Sequence, residues 1–179
     1  MEPRVKRHPV EQPLDQSIKL IPLTKGKTAR VDASEYERIS ANNWMATWNK
    51  YTRSYYARRY SKVKDGPPRR MIAMQNEVMS NGKINDHADR NTLNNVKSNL
   101  RPSTVSQNGG NCEKRKHNTS GYKGVVWNNR WRAQLLVNGK KYHAGYFDDP
   151  IDAARAYDRK AIELFGDFAC TNFPRSDYD

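Results

Sequence analysis

The segment from Thr119 to Pro174 leaves the chain the least conformational choice. Three strand-like runs, Tyr122 to Trp127, Trp131 to Val137 and Lys141 to Phe147, are separated by turns at Asn128-Asn129 and Asn138-Gly139. Asn and Gly tolerate the positive φ that two-residue hairpin turns demand, so the runs must pair as an antiparallel sheet. In the middle run Trp131, Ala133, Leu135 and Val137 alternate with Arg132, Gln134 and Leu136, giving one apolar face and one mostly polar face. The apolar face needs a cover, and the following residues supply one. Asp149 as N-cap, Pro150 at the first helical position and Asp152 in the first turn open a helix that Gly166 closes. Its Ala154, Tyr157, Ala161, Leu164 and Phe165 recur at helical spacing and face the sheet. The prediction is a three-stranded sheet on one helix, with Lys123, Arg130, Arg132 and Gln134 on or near the open face. A sheet of that width enters a DNA major groove.

Charge decides what such a face would meet. Lys and Arg total 32 against 19 acids, a formal net charge of +13, which suits neutralisation of phosphates with release of their counterions. Double-stranded nucleic acid is the expected partner. A membrane is not: no apolar run approaches the roughly 18 residues of a spanning helix, and the N-terminus lacks the apolar stretch of a secretory signal. Cys112 and Cys170 have no CxxC partner, so neither a disulfide framework nor a cysteine zinc site is expected. The chain reads as a reduced cytoplasmic protein, with a monomer favoured.

Upstream, residues 1–17 carry Pro3, Pro9 and Pro13 among charges and read as a flexible tail. Ile18 to Leu23 and Ala29 to Val31 predict two strands around Lys25-Gly26-Lys27, and Asp32 a cap for a helix over Ala33 to Ile39. From Trp44 to Tyr60, Trp44, Trp48, Tyr51, Tyr55, Tyr56 and Tyr60 interleave with Lys50, Arg53, Arg58 and Arg59. Two readings stand: a basic aromatic hairpin lying along a nucleic-acid backbone, or a small sheet whose rings form its core. Gly66-Pro67-Pro68 breaks the chain, and residues 111–118, with Lys114-Arg115-Lys116, read as a basic linker. Residues 175–179 form a short tail.

Between these regions lies an Asn-rich stretch holding Asp86-His87 and, further on, Asn108. A carboxylate and an amide carbonyl are hard oxygen donors that suit Mg²⁺ or another divalent cation such as Mn²⁺, leaving positions for water and phosphate oxygens. A neutral imidazole can take a proton from an attacking water near neutral pH. Neighbours on a regular strand point to opposite faces, so the strand must end or bulge at Asp86-His87 for both to serve one site.

Two families match these patterns. The phrases Tyr122-Lys123-Gly124-Val125, Ala144-Gly145-Tyr146-Phe147, Ala153-Ala154-Arg155-Ala156-Tyr157-Asp158 and Thr171-Asn172-Phe173-Pro174 resemble the apetala-two domain of plant ethylene-response factors and its bacterial and phage relatives. The resemblance implies major-groove binding through Lys123, Trp127, Arg130, Arg132, Gln134 and His143, with Tyr157 reaching a phosphate from the helix. Val126, Leu136 and His143 stand where plant members have arginines and a tryptophan, so their target sequence does not transfer. The run Ile84-Asn85-Asp86-His87, Ser98-Asn99-Leu100-Arg101 and Ser106-Gln107-Asn108 resembles the HNH endonucleases of homing and phage type. That resemblance implies a ββα-metal fold, His87 as general base, Asp86 and Asn108 as metal ligands, and Asn99 positioning the loop or the base. The whole is then α+β: an accessory β region and nuclease core over 18–110, and a DNA-binding domain over 119–174. The expected function is metal-dependent cleavage of DNA in a bacterial or phage-infected cell. Gln75-Asn76 stand where relatives commonly carry His-Arg, which supports the alternative of a DNA-binding regulator with an inactive nuclease core.

Overall fold

A computed structural model describes residues 7–62, 68–114 and 117–179. The first six residues, most of the Gly66-Pro67-Pro68 break, and Arg115 and Lys116 of the expected linker lie outside the described residues. The chain is mixed α+β with small antiparallel sheets, and it divides into two compact units, Met1–Pro102 and Ser103–Asp179.

In the first unit β1 (Ile18–Pro22) and β2 (Thr28–Asp32) form a hairpin. Lys25 (φ 59°) and Gly26 (φ 62°) turn it. Ala29 and Val31 point inward and Arg30 outward. Helix α1 (Ala33–Ser40) follows, but Asp32 makes no side-chain cap. Its Oδ2 instead accepts from the Lys97 amide at 2.8 Å, so a long-range bond takes the carboxylate expected to cap the helix. Strands β3 (Met45–Asn49), β4 (Ser54–Tyr60) and β5 (Met71–Ala73) form a second sheet in the order β3-β4-β5. The rings of the aromatic hairpin divide between core and surface. Trp44 is fully buried and donates from Nε1 to the Ile39 carbonyl at 2.8 Å, whereas Trp48 and Tyr51 are exposed at 48% and 84%. Helix α2 (Met74–Met79) leads to β6 (Ile84–His87), which pairs with β7 (Leu100–Ser103). The core joins Ile21, Leu23, Val31, Ile39, Trp44, Met74 and Val78. From residue 7 onward the N-terminal segment lies on this body. Arg7 Nε donates to the Trp44 carbonyl, and the Gln12 amide pairs with both backbone groups of Leu20.

The second unit opens with α3 (Val105–Gly110), whose Thr104 and Gln107 form a reciprocal capping box. Gly110 sits where an added Cβ would lie 2.8 Å from the Phe165 ring, and Asn138 donates its amide to Ser106 Oγ. Helix α3, which carries Asn108, therefore packs within this unit. Strands β8 (Val125–Asn128), β9 (Arg130–Val137) and β10 (Lys140–Phe147) form an antiparallel sheet in the order β10-β9-β8. Helix α4 (Pro150–Phe165) covers it and is capped by Asp149, which accepts from the Ile151 amide at 2.6 Å. Ala153, Ala154, Tyr157, Ala161 and Phe165 pack on Val125, Ala133 and Leu135. The buried Asp158, unforeseen by an apolar-period argument, accepts from the amides of Asn172 and Phe173 and from Tyr178 Oη. It thereby straps the C-terminal segment onto the helix.

Candidate functional site

Strand β6 ends at His87. The next residues turn, with Arg90 at φ 63° and its amide returning to the His87 carbonyl. The irregularity required at Asp86-His87 is thus a strand end. Both side chains are nearly buried, Asp86 at 6% exposure and His87 at 3%. Asp86 Oδ2 accepts from Nη2 and Nε of Arg101 on β7, at 3.1 and 3.3 Å. His87 Nε2 lies 3.3 Å from Oδ1 of Asn95, and the Tyr56 ring meets the imidazole edge-on at 6.3 Å. With an amide oxygen as partner Nε2 donates, which puts the lone pair of the neutral ring on Nδ1.

Burial lowers the His87 pKa from its ordinary value. The Asn95 bond and the charges of Asp86 and Asp89 oppose this and hold part of the basicity. The ring is consequently neutral at pH 7, the state a proton acceptor needs.

The loop after His87 is held by a second carboxylate. Asp89 accepts from the Asn91 amide and Asn99 Nδ2 on Oδ1 and from Asn94 Nδ2 on Oδ2. Burial acts to raise this carboxyl, but those hydrogen bonds together keep it below the usual carboxylate range. Asn99 is bonded twice more, Oδ1 accepting from the Asp89 amide and Nδ2 donating to the Asn94 carbonyl. Asn95 is fully buried, and its amide donates to the Arg30 carbonyl on β2 at 2.8 Å. The first hairpin therefore anchors the residue that holds the imidazole. Nothing local in the sequence marks Asn95 or Asp89, because in an Asn-rich stretch each resembles an ordinary turn former, and Arg101 meets Asp86 only through the pairing of β6 with β7.

Asp86, His87 and Asn99 thus lie together in the first unit, while Asn108 is on α3 in the second. Among the described residues no group of three or more His, Cys, Asp or Glu gathers as a metal cluster. Asp86 offers a carboxylate oxygen and Asn108 an amide oxygen, each a hard donor of the kind a small hard cation takes beside water and phosphate oxygens.

On the sheet of the second unit, pleat parity and pairing group the other predicted residues. Arg132 pairs with Tyr146 and Gln134 with His143, so Arg132, Gln134 and His143 share the face away from α4. Arg130 belongs to the same face and holds Asp148 in a two-pronged ion pair at 2.8 and 2.9 Å. Among the described residues Arg132 Nε and Gln134 Oε1 are buried without a hydrogen-bond partner. Polar atoms of that kind call for a ligand or water. Trp127 is 60% exposed but pairs with Trp131, ring centroids 5.0 Å apart, on the side of α4. Lys123 donates its Nζ to the carbonyls of Gly110 and Cys170, at 2.6 and 3.3 Å. Tyr157 is 4% exposed, against Gly124, and burial raises its phenol above the ordinary range.

These two sites define a class: an α+β chain with an Asp-His strand end in one unit and a helix-backed three-stranded sheet in the other. No protein-family model matches the chain. It is 39% identical over 89 residues to an uncharacterized HNH endonuclease, L560, of Acanthamoeba polyphaga mimivirus, covering 49% of this chain and 46% of that protein. It is 43% identical over 65 residues to APETALA2-like protein 2 of Oryza sativa subsp. japonica, covering 34% of this chain and 15% of that protein. The chain thus spans less than half the length of either relative. With Protein 3.8 of Escherichia phage T7 it is 34% identical over 108 residues, 57% of this chain and 88% of that protein. The chain belongs to the same family as Protein 3.8.

Proposed function

We propose that the protein is a metal-dependent DNA endonuclease that hydrolyses a phosphodiester at a site chosen partly by its C-terminal sheet. The observation that carries this reading is the buried His87, neutral and aimed by Asn95, directly beside the Asp86 carboxylate at a strand end. Similarity to an HNH endonuclease supports it. By the resemblance to ββα-metal nucleases, Asp86 and Asn108 are the residues that would hold Mg²⁺ or Mn²⁺. When bound, such a cation stabilises charge on the phosphate and on the departing oxygen. His87 takes the proton of the attacking water, and the imidazolium so formed is stabilised by the Asn95 oxygen and the Asp86 and Asp89 charges. Asn99 fixes the loop that carries the base. In the second unit Arg132, Gln134 and His143 read base edges, with Arg130, Trp127, Lys123 and Tyr157 supporting that face or reaching phosphate. Similarity to an APETALA2-like protein supports this assignment.

One observation favours a second reading. The Asp86 carboxylate is already engaged by the Arg101 guanidinium, which fits a nuclease core retained only for DNA binding. Supercoiled plasmid incubated with the full chain and Mg²⁺, beside His87→Ala, separates the two. Nicking lost in the variant is expected; duplex binding without cleavage across several divalent ions would establish the regulator instead.

A further inference from the structure

The two hairpin tips of the first unit carry positive charge without compensation. Residues 24–27 and 48–54 hold Lys25, Lys27, Lys50 and Arg53 and no acid. Lys25 and Lys27 lie over the Tyr55 ring, at 5.5 and 5.4 Å from its centroid. Tyr55 in turn packs on Trp48 at 4.9 Å, and Lys50 lies 5.1 Å over the exposed Tyr51. Four other cations of this unit do sit on carboxylates: Arg38 and Lys97 on Glu35, Arg59 on Glu77, Arg101 on Asp86. Among the described residues none of the four tip cations has such a partner.

The backbone adds an independent observation. Lys25 (φ 59°) and Arg53 (φ 52°) each occupy the left-handed region, where a long side chain is disfavoured and Gly or Asn is not. The hairpins of the second unit use Asn129 (φ 60°) and Asn138 (φ 50°) for the same conformation. Both tips of the first unit thus carry a cation where the turn itself favours another residue, and residues held in such conformations cluster at ligand clamps and active sites. The tips are also tied to the Asp-His strand end. Thr92, in the loop after His87, donates to the Tyr55 carbonyl at 2.6 Å, and the next residue, Tyr56, meets the His87 ring. Strand β4 thus presents one ring to the tip cations and the adjacent ring to the base.

We propose that Lys25, Lys27, Lys50 and Arg53, braced by Tyr55 and Trp48, form a clamp for the phosphate backbone of duplex DNA, independent of base sequence and separate from the sheet of the second unit. The inference rests on DNA being the partner, as in the reading above. It does not require cleavage.

The test uses the full chain and a labelled duplex of scrambled sequence, with binding followed by anisotropy across a range of NaCl concentrations. Lys25→Asn with Arg53→Asn places favoured turn residues at both tips, so the melting temperature should hold or rise. The slope of log affinity against log salt should shrink by about 1.8, at about 0.9 per lost phosphate contact, with affinity lower on the order of tenfold. Lys27→Ala with Lys50→Ala, at positions of ordinary φ, should produce a matching loss. Unchanged slope and affinity in both double variants overturns the clamp, as does a loss confined to anionic vesicles or acidic peptides. Failure of the unaltered chain to bind any duplex would instead sink the DNA reading itself.

Discussion

Asn95 has no exposed surface, and it touches the candidate base from a backbone clamped to Arg30. Its side chain fixes which nitrogen of His87 carries hydrogen, so its loss should act on rate rather than on DNA binding. Asn95→Ala is expected to lower the plateau cleavage rate on the order of 10²-fold, as misplacement of a reacting group does. The pH profile checks this role. Burial holds the His87 pKa down, so the neutral ring persists below about pH 6.5, the ordinary imidazole value, and the acid limb of the rate should lie under that value. Removing the Asn95 bond, which favours the imidazolium, should move that limb lower still. A variant with an unchanged plateau and limb would refute the role. The Asp-His pair is legible in the sequence because two reactive groups stand side by side; Asn95 is not, because seven residues of mostly polar loop separate it from His87 and no period connects them.

At the scale of elements, the second unit is nearly all legible, since its turn residues, alternation and helix cap agree. What escapes is the buried polar anchor. Asp158 is fully buried and receives the Asn172 and Phe173 amides, Asn172 Nδ2 and Tyr178 Oη. Asp158→Ala leaves several donors unsatisfied at about 1–3 kcal/mol each, so urea unfolding should show a loss of at least about 3 kcal/mol. Retention of stability would mean the C-terminal strap is not held by this residue. Gly124 is the backbone counterpart. It sits at φ 74°, and a Cβ would lie 2.0 Å from the Tyr157 ring and 2.9 Å from the Gln134 carbonyl. Gly124→Ala should therefore lower the melting temperature sharply and weaken duplex binding by disturbing the strand that carries Gln134; circular-dichroism melting beside anisotropy reads both. In the aromatic hairpin the pattern alone left core and surface undecided, because strand parity sorts rings by face only where a neighbouring element defines the inside. Here Trp44 is inside, while Trp48 and Tyr51 at the turn stay exposed.

At the scale of the molecule, the Asn-rich stretch that reads as one polar region divides between two units after Pro102. The division follows the capping box of Thr104 and Gln107 and the fit of Gly110 under Phe165, and the second of these is a tertiary contact that no local pattern announces. The division places Asp86 in one unit and Asn108 in the other, so cation dependence probes whether the two act together. Binding and cutting should separate on metal removal, because phosphate attraction comes from lysines and arginines whereas hydrolysis needs the hard oxygens. In EDTA the full chain should still shift a duplex but leave supercoiled plasmid intact, and added Mg²⁺ or Mn²⁺ should restore nicking. Asp86→Ala should stay inactive at every metal concentration, whereas Asn108→Ala should need more metal for half its maximal rate. Nicking that persists in EDTA would rule out the metal, and an Asn108→Ala titration identical to that of the unaltered chain would remove Asn108 from the donor set.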